Sequence, residues 1–153
     1  MNLCCDVIRR LQGKTLVTAE SLTGGGIGAA LTSVSGSSSV YKGGVISYTN
    51  AVKNQILGVA ADILDQYGAV SEPVARAMAQ GVRKLLQADV SVSVTGLAGP
   101  GGDEYGNPVG TVFIGYSDAD ITEVKPFLFA GDRESIRQQT AEEALKLILK
   151  HQA

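Results

Sequence analysis

Six residues, Val90-Ser91-Val92-Ser93-Val94-Thr95, alternate branched apolar and hydroxyl side chains without a break, then run into Gly96-Leu97-Ala98-Gly99-Pro100-Gly101-Gly102. Strict period two marks a β-strand. Glycine and proline at its C-terminal end stop the strand and let other groups come close to the backbone. A related succession lies near the N-terminus: the β-type run Lys14 to Ala19, a turn from Glu20 to Gly26, and a helical run from Ile27 to Val34. Strand, glycine-rich turn and helix, in that order, set a helix N-terminus against whatever binds there. The chain is thereby confined to folds in which strands and helices alternate.

The remaining segments fit that scheme. Leu3, Val7, Ile8 and Leu11 share one face of a helix over residues 3–12, with Gly13 as its stop. Ser35 to Ser39 is a loop by composition, and Gly44 to Tyr48 reads as a second strand. Asn50 is placed to cap a helix through Val52, Ile56 and Leu57 that ends at Gly58, and Ala60 to Gln66 is a short helical piece. Ser71-Glu72-Pro73 supplies a capping hydroxyl, an acidic first turn and an N-terminal proline for a helix running to Gln87. Val109 to Ser117 and Glu123 to Ala130 read as strands joined by a hairpin turn at Asp118-Ala119-Asp120. Asp132 caps a last helix whose inner face is Ile136, Thr140, Ala144, Leu147 and Ile148. This order predicts an α/β fold, a three-layer α/β/α sandwich over a mixed sheet, in one domain spanning residues 1–153.

Composition narrows the function. A length of 153 residues suits one domain with its own core. The net charge of −2 and the absence of a Lys/Arg run argue against nucleic acid as a partner. No apolar stretch approaches the roughly 20 residues that span a bilayer, so no membrane role is expected. The start, Met1 to Asp6, has no signal-peptide pattern, and adjacent Cys4 and Cys5 read as a reduced pair, together placing the chain in the cytoplasm. No metal-ligand spacing occurs; neither a metal nor a cofactor is implied.

Four groups of residues could carry chemistry. Thr18-Ala19-Glu20-Ser21-Leu22-Thr23-Gly24-Gly25 puts hydroxyls between a strand end and a helix start, with backbone amides nearby for a developing oxyanion. Read alone, Ser21 and Thr23 equally fit plain helix caps. A serine nucleophile needs a base, and the one histidine, His151, sits at the C-terminus. A Ser–Lys pair is the known substitute, and Tyr48-Thr49-Asn50-Ala51-Val52-Lys53 offers Lys53 on a helix's first turn, where positive charge is disfavoured. Taken singly, Lys53 equally fits a surface charge, and Tyr48 a core sheet residue. The loop from Thr95 and Gly96 through Gly99 could hold phosphate or ribose oxygens, or be a bare surface loop. Gly131-Asp132-Arg133, with Arg137 one turn on, fits a phosphate clamp or simple surface arginines. Glu20 is the acidic side chain that stands out.

Taken together, Thr-Ala-Glu-Ser-Leu-Thr-Gly-Gly, the Gly-Ser-Ser loop, Tyr-Thr-Asn-x-x-Lys, Gly-Ala-Val-Ser-Glu-Pro-Val, Thr-Gly-x-Ala-Gly-Pro-Gly-Gly, Pro-Val-Gly-Thr-Val and Gly-Asp-Arg occur in order. In this the chain resembles the CinA C-terminal domain family over about residues 5–150. The resemblance implies a five-stranded mixed sheet, a homodimer, and a cytoplasmic amidohydrolase that converts nicotinamide mononucleotide to nicotinate mononucleotide and ammonia. Some relatives are known only as competence- or damage-inducible. Carried onto this sequence, it implies Ser21, Lys53 and Tyr48 as the catalytic group, with Tyr48 orienting Lys53. Thr23, Gly24, Gly25, Ser38, Thr95, Gly96, Gly99 and Arg133 are implied to bind substrate. Ser38 and Ser47 are the other candidate nucleophiles. Leu22 stands where many members carry cysteine. Two other functions fit the same residues: a pyridine-nucleotide sensor without turnover, and an amidase for another small amide.

Overall fold

The computed structural model describes residues 2–153. Among these residues six α-helices and five strands follow one another as α1 (Leu3–Arg10), β1 (Leu16–Glu20), α2 (Gly26–Thr32), β2 (Tyr41–Ile46), α3 (Asn50–Gln55), α4 (Ala61–Tyr67), α5 (Glu72–Leu85), β3 (Val90–Gly96), β4 (Thr111–Ser117), β5 (Thr122–Leu128) and α6 (Arg133–His151), with a 3-10 turn at Ser37–Ser39. The strands form one sheet in the order β2-β1-β3-β4-β5. β1 pairs in parallel with β2 and β3, and β4 and β5 continue antiparallel, which makes the sheet mixed.

From β1 the chain crosses through α2 to β2 on one side, then returns through α3, α4 and α5 to β3 on the other side of β1. Parallel crossovers are right-handed, so crossovers that travel in opposite directions put their helices on opposite faces. The core divides accordingly. One cluster packs Leu16, Val92, Val94 and Ile114 of the sheet under α1, α2 and α6, with Val7, Ile27 and Ile148 buried. The other packs Val17 and Ala19 under α5, with Val74, Met78 and Val82. The expected three-layer arrangement is present. The direction of travel reverses at β1, and open α/β sheets bind ligands at such a switch point, in the crevice beyond the C-terminal strand ends, here those of β1 and β3.

Both faces of β3 are buried, although its alternation suggests only one. Val90, Val92 and Val94 face the first cluster. Ser91 and Ser93 donate from Oγ to the carbonyls of Ala79 and Ala75 on α5, at 2.6 and 2.7 Å. Small residues allow that approach: a Cβ on Gly115 would lie 2.8 Å from the Ala75 carbonyl oxygen.

Several local expectations need correction. The second strand is Tyr41–Ile46, not Gly44 to Tyr48. Register shifts between Leu16 and Val17, and Gly43, at φ 152°, absorbs the irregularity. Thr49, not Asn50, caps α3, with Oγ1 accepting from the Val52 amide. Ser71 precedes α5 as expected, but its hydroxyl donates back to the Gly68 carbonyl. Asp132 does cap α6, accepting from the Ser135 amide at 2.9 Å. No helix among the described residues is long and apolar enough to cross a membrane.

Candidate active site

The crevice is built around the residue that follows β1. The Glu20–Ser21 peptide extends the sheet by one step: Ser47 N donates to the Glu20 carbonyl on one side, and Ser21 N donates to Val94 O on the other. Ser21 is therefore fixed between the ends of β2 and β3. The chain then turns sharply, with Gly24 N donating to Ser21 O and Gly26 N to Thr23 O. Gly24 and Gly25 take φ of 58° and 97°, a region that glycine enters without steric cost.

Glu20 holds this turn from beneath. Its carboxylate, 2% exposed, accepts from Thr23 Oγ1 at 2.7 Å, Ile27 N at 2.8 Å, Gly28 N at 2.9 Å and Thr18 Oγ1 at 3.2 Å. Gly25 is the first cap of α2 and has no side chain to offer. A carboxylate from the preceding strand thus meets amides that a helix start otherwise leaves unpaired.

Lys53 enters from the other side. It is 1% exposed, and Nζ donates to Ser21 Oγ at 3.0 Å and to Ser47 O at 2.6 Å. Neither partner is charged. Burial lowers its pKa from 10.5 to about 8. Desolvation, which a Ser–Lys pair requires of its lysine, is the cause; the contribution expected from a helix's first turn is not, because Lys53 is the fourth residue of the six-residue α3, in its last turn. Near neutral pH a useful fraction of this lysine can shed its proton, and the 3.0 Å contact then lets Ser21 donate to it.

The other expected residues divide. Thr95 is buried at the end of β3, but its hydroxyl donates to Ala69 O. Gly96 is forced by packing, since a Cβ there would lie 2.8 Å from the Thr111 carbonyl oxygen. Arg133, at the start of α6, donates to Gly99 O at 2.6 Å and to Tyr48 Oη at 3.3 Å, tying the loop after β3 to the loop after β2. Tyr48 is neither a core residue nor a partner of Lys53: it is 60% exposed, and its hydroxyl meets Arg133. Ser38 is not in the crevice. It lies in the turn before β2, whose six residues, about 20 Å long, separate it from Ser47 and Lys53. Ser47 is close, but its hydroxyl donates to Glu20 O at 3.3 Å. Gly24 N is engaged in the turn, whereas the Leu22 and Thr23 amides donate to no protein atom among the described residues. The Gly25 amide likewise has no protein acceptor among the described residues, so of the amides from Leu22 to Gly25 it is that of Gly24 which is already committed.

Two contributors carried no readable signal as such. The Ser47 carbonyl is a backbone group, and Arg137, which the sequence leaves open between a phosphate clamp and a surface arginine, donates to Leu22 O at 2.9 Å and Thr23 O at 3.2 Å. Among the described residues no group of three or more His, Cys, Asp or Glu side chains is placed to hold a metal ion.

The CinA C-terminal domain model matches residues 3–152. The chain belongs to that family. It is 52% identical over 149 residues to a CinA-like protein of Parasynechococcus marenigrum (strain WH8102), covering 94% of this chain and 35% of that protein. The chain spans about a third of the length of the curated relatives it matches. Among solved structures, the competence damage-inducible protein A (ComA) of Klebsiella pneumoniae superposes with a TM-score of 0.94 at 37% identity, covering 97% of this chain and 93% of that one. The competence/damage inducible protein CihA of Agrobacterium tumefaciens gives a TM-score of 0.94 at 36% identity, covering 97% and 92%. The CinA superfamily fold is thus this chain's fold, with its five-stranded mixed sheet and helices on both sides.

Proposed function

We propose that this CinA-family domain is an amidohydrolase that converts nicotinamide mononucleotide to nicotinate mononucleotide and ammonia. The observation that carries this reading is the 3.0 Å contact between Ser21 Oγ and a buried lysine whose other partner is a carbonyl. A lysine buried without a carboxylate is costly to keep, and strongly perturbed groups of this kind concentrate at functional sites.

In the first half-reaction neutral Lys53 takes the Ser21 proton while Oγ bonds to the carboxamide carbon. The Leu22 and Thr23 amides receive the oxyanion. On collapse the C–N bond breaks, and Lys53 returns the proton to the leaving nitrogen, which departs as ammonia. In the second half-reaction Lys53 takes a proton from water as it attacks the ester carbon; the C–Oγ bond breaks and Oγ recovers that proton, leaving the carboxylic acid, which gives its remaining proton to solvent to become the carboxylate product. Arg133 holds the substrate phosphate. Its two partners in the protein are uncharged oxygens, so its charge is uncompensated there. Tyr48 serves this arginine and not the lysine. A cytoplasmic homodimer is part of the same proposal.

Ammonia release from nicotinamide mononucleotide tests the reading, with Ser21→Ala and Lys53→Gln alongside. Wild type should turn over, with a rate that rises with pH to a midpoint near about 8, and both variants should be folded and inactive. A silent wild type whose melting temperature rises with the nucleotide would overturn catalysis in favour of a sensor. Turnover with full activity in Arg133→Ala would remove the phosphate clamp and point to another small amide.

A further inference from the structure

We infer that Arg137 is a positioning residue that fixes the Leu22–Thr23 backbone so that its free amides form the oxyanion site; this rests on the Ser–Lys hydrolase reading above. The argument is geometric. A trans peptide is planar, with its C=O and N–H pointing opposite ways. Arg137 Nε donates to the Leu22 carbonyl at 2.9 Å, which fixes the Thr23 N–H on the far side of the same peptide. The next peptide is held twice: Arg137 Nη2 and Gly26 N both donate to Thr23 O. On its far side, Gly24 N donates to Ser21 O, closing the turn back onto the nucleophile. The Ser21 carbonyl is thereby committed as well, and the Leu22 N–H points away from it.

The turn is thus clamped between α6 and the sheet. Arg137 pulls on its carbonyls, and Glu20 pulls on Thr23 Oγ1 and the first amides of α2. A guanidinium suits this task because its donors form a rigid fork that can span two adjacent carbonyls, whereas a lysine ammonium cannot hold both in one geometry. The chain between Ser21 and Gly26 includes two glycines in left-handed conformations and is otherwise free to rotate its peptides. Arg137 also lines an open groove of about 980 Å³ between α1, α2 and α6. A small cation can therefore reach its place from solvent. Arg137 makes no contact with Ser21 Oγ or Lys53 Nζ, so its effect on chemistry is transmitted through the backbone.

The test uses two readouts on the full chain: ammonia release from nicotinamide mononucleotide, and the rate at which a small fluorophosphonate labels Ser21. The second needs the nucleophile and the oxyanion site but not the nucleotide. Arg137→Ala and Arg137→Lys should lose about 10- to 100-fold in both rates, within what losing one oxyanion donor costs, with KM little changed. The pH midpoint of labelling, near about 8 and set by buried Lys53, should stay where it is in wild type. Guanidinium ion should restore part of the Arg137→Ala rate and none of the Ser21→Ala rate. Undiminished labelling of both variants would overturn the inference, as would a lowered rate accompanied by a midpoint moved toward that of free lysine, because the loss would then be general loosening. A wild type that labels but leaves the nucleotide intact would remove the substrate and leave the Arg137 comparison decisive. A wild type that does neither would overturn the nucleophile and the inference with it.

Discussion

Replacing Lys53 with methionine should separate the cost of this site from its use. Methionine keeps the unbranched stem and drops the ammonium. In the folded protein Lys53 is 1% exposed and its pKa falls from 10.5 to about 8. At about 1.4 kcal/mol per tenfold change in proton affinity, the protonated lysine costs the fold about 3 kcal/mol at neutral pH. Below pH 8 the folded and unfolded lysine both hold the proton, and that cost is present in full. Between about 8 and 10.5 the folded lysine has released its proton while the unfolded one keeps it. The unfolded state then binds more protons, so wild-type stability gains up to about 1.4 kcal/mol per pH unit. Above 10.5 both are neutral and the cost is gone. Methionine has no such window. It does leave the Ser47 carbonyl without its donor, an opposing loss of about 1–3 kcal/mol that does not vary with pH. At pH 7 the two proteins should therefore lie within about 2 kcal/mol of each other. The deciding quantity is the variant-minus-wild-type difference, measured by urea unfolding from pH 7 to 10.5. It should move by about 3 kcal/mol in favour of wild type, with the other titrating groups cancelling between the two chains. A difference that stays flat would refute the depressed lysine and the neutral base built on it.

Two further substitutions test the scaffold. Each oxygen of Glu20 accepts one backbone amide, Ile27 on one and Gly28 on the other, so Glu20→Gln must turn an NH2 toward an N–H donor whichever way it sits. It should lose about 1–3 kcal/mol in denaturant unfolding; unchanged stability would mean the carboxylate is not what holds the turn. Gly81→Ala puts a methyl inside a helix, where alanine normally gains about 1 kcal/mol, but its Cβ would overlap the Leu57 backbone carbonyl. A loss of about 1–3 kcal/mol is expected instead, and a raised melting temperature would show that α5 stands further from residue 57.

The sequence makes the layers legible because strands and helices here carry their ordinary periods, and the motif after β1 is local. It misleads where a tertiary contact overrides a local cue. Val90 to Thr95 alternates like a strand with one wet face, yet Ser91 and Ser93 are buried because α5 offers them free carbonyls over small side chains. Paired glycines usually weaken a strand, but Gly44 sits within β2 since a Cβ there would lie 2.8 Å from the Thr18 carbonyl oxygen of the neighbouring strand. Tyr48 consequently falls beyond the strand and faces outward instead of packing in the core. Arginines near a helix start suggest a phosphate in one dimension. Only the fold shows that Arg133 faces the crevice loops while Arg137, one turn later, grips the nucleophile turn.

Which hydroxyl acts is the question that residue type answers least, because several serines and threonines lie within or just beyond β1, β2 and β3. Their acceptors decide it. A hydroxyl that donates to a fixed carbonyl or carboxylate has committed its proton, and burial makes breaking that bond expensive. Thr18 and Thr23 meet Glu20, Ser47 meets the Glu20 carbonyl, Ser93 meets Ala75, and Thr95 meets Ala69. Among the described residues Ser21 is the member of this set whose hydroxyl meets Lys53 Nζ. When that nitrogen is neutral it is the acceptor Ser21 has, and loss of the serine proton leads directly to the base. Ser21 reaches this position because β1 lies between the two crossovers, so the residue beyond its end sees both flanking strands and is closed off by neither.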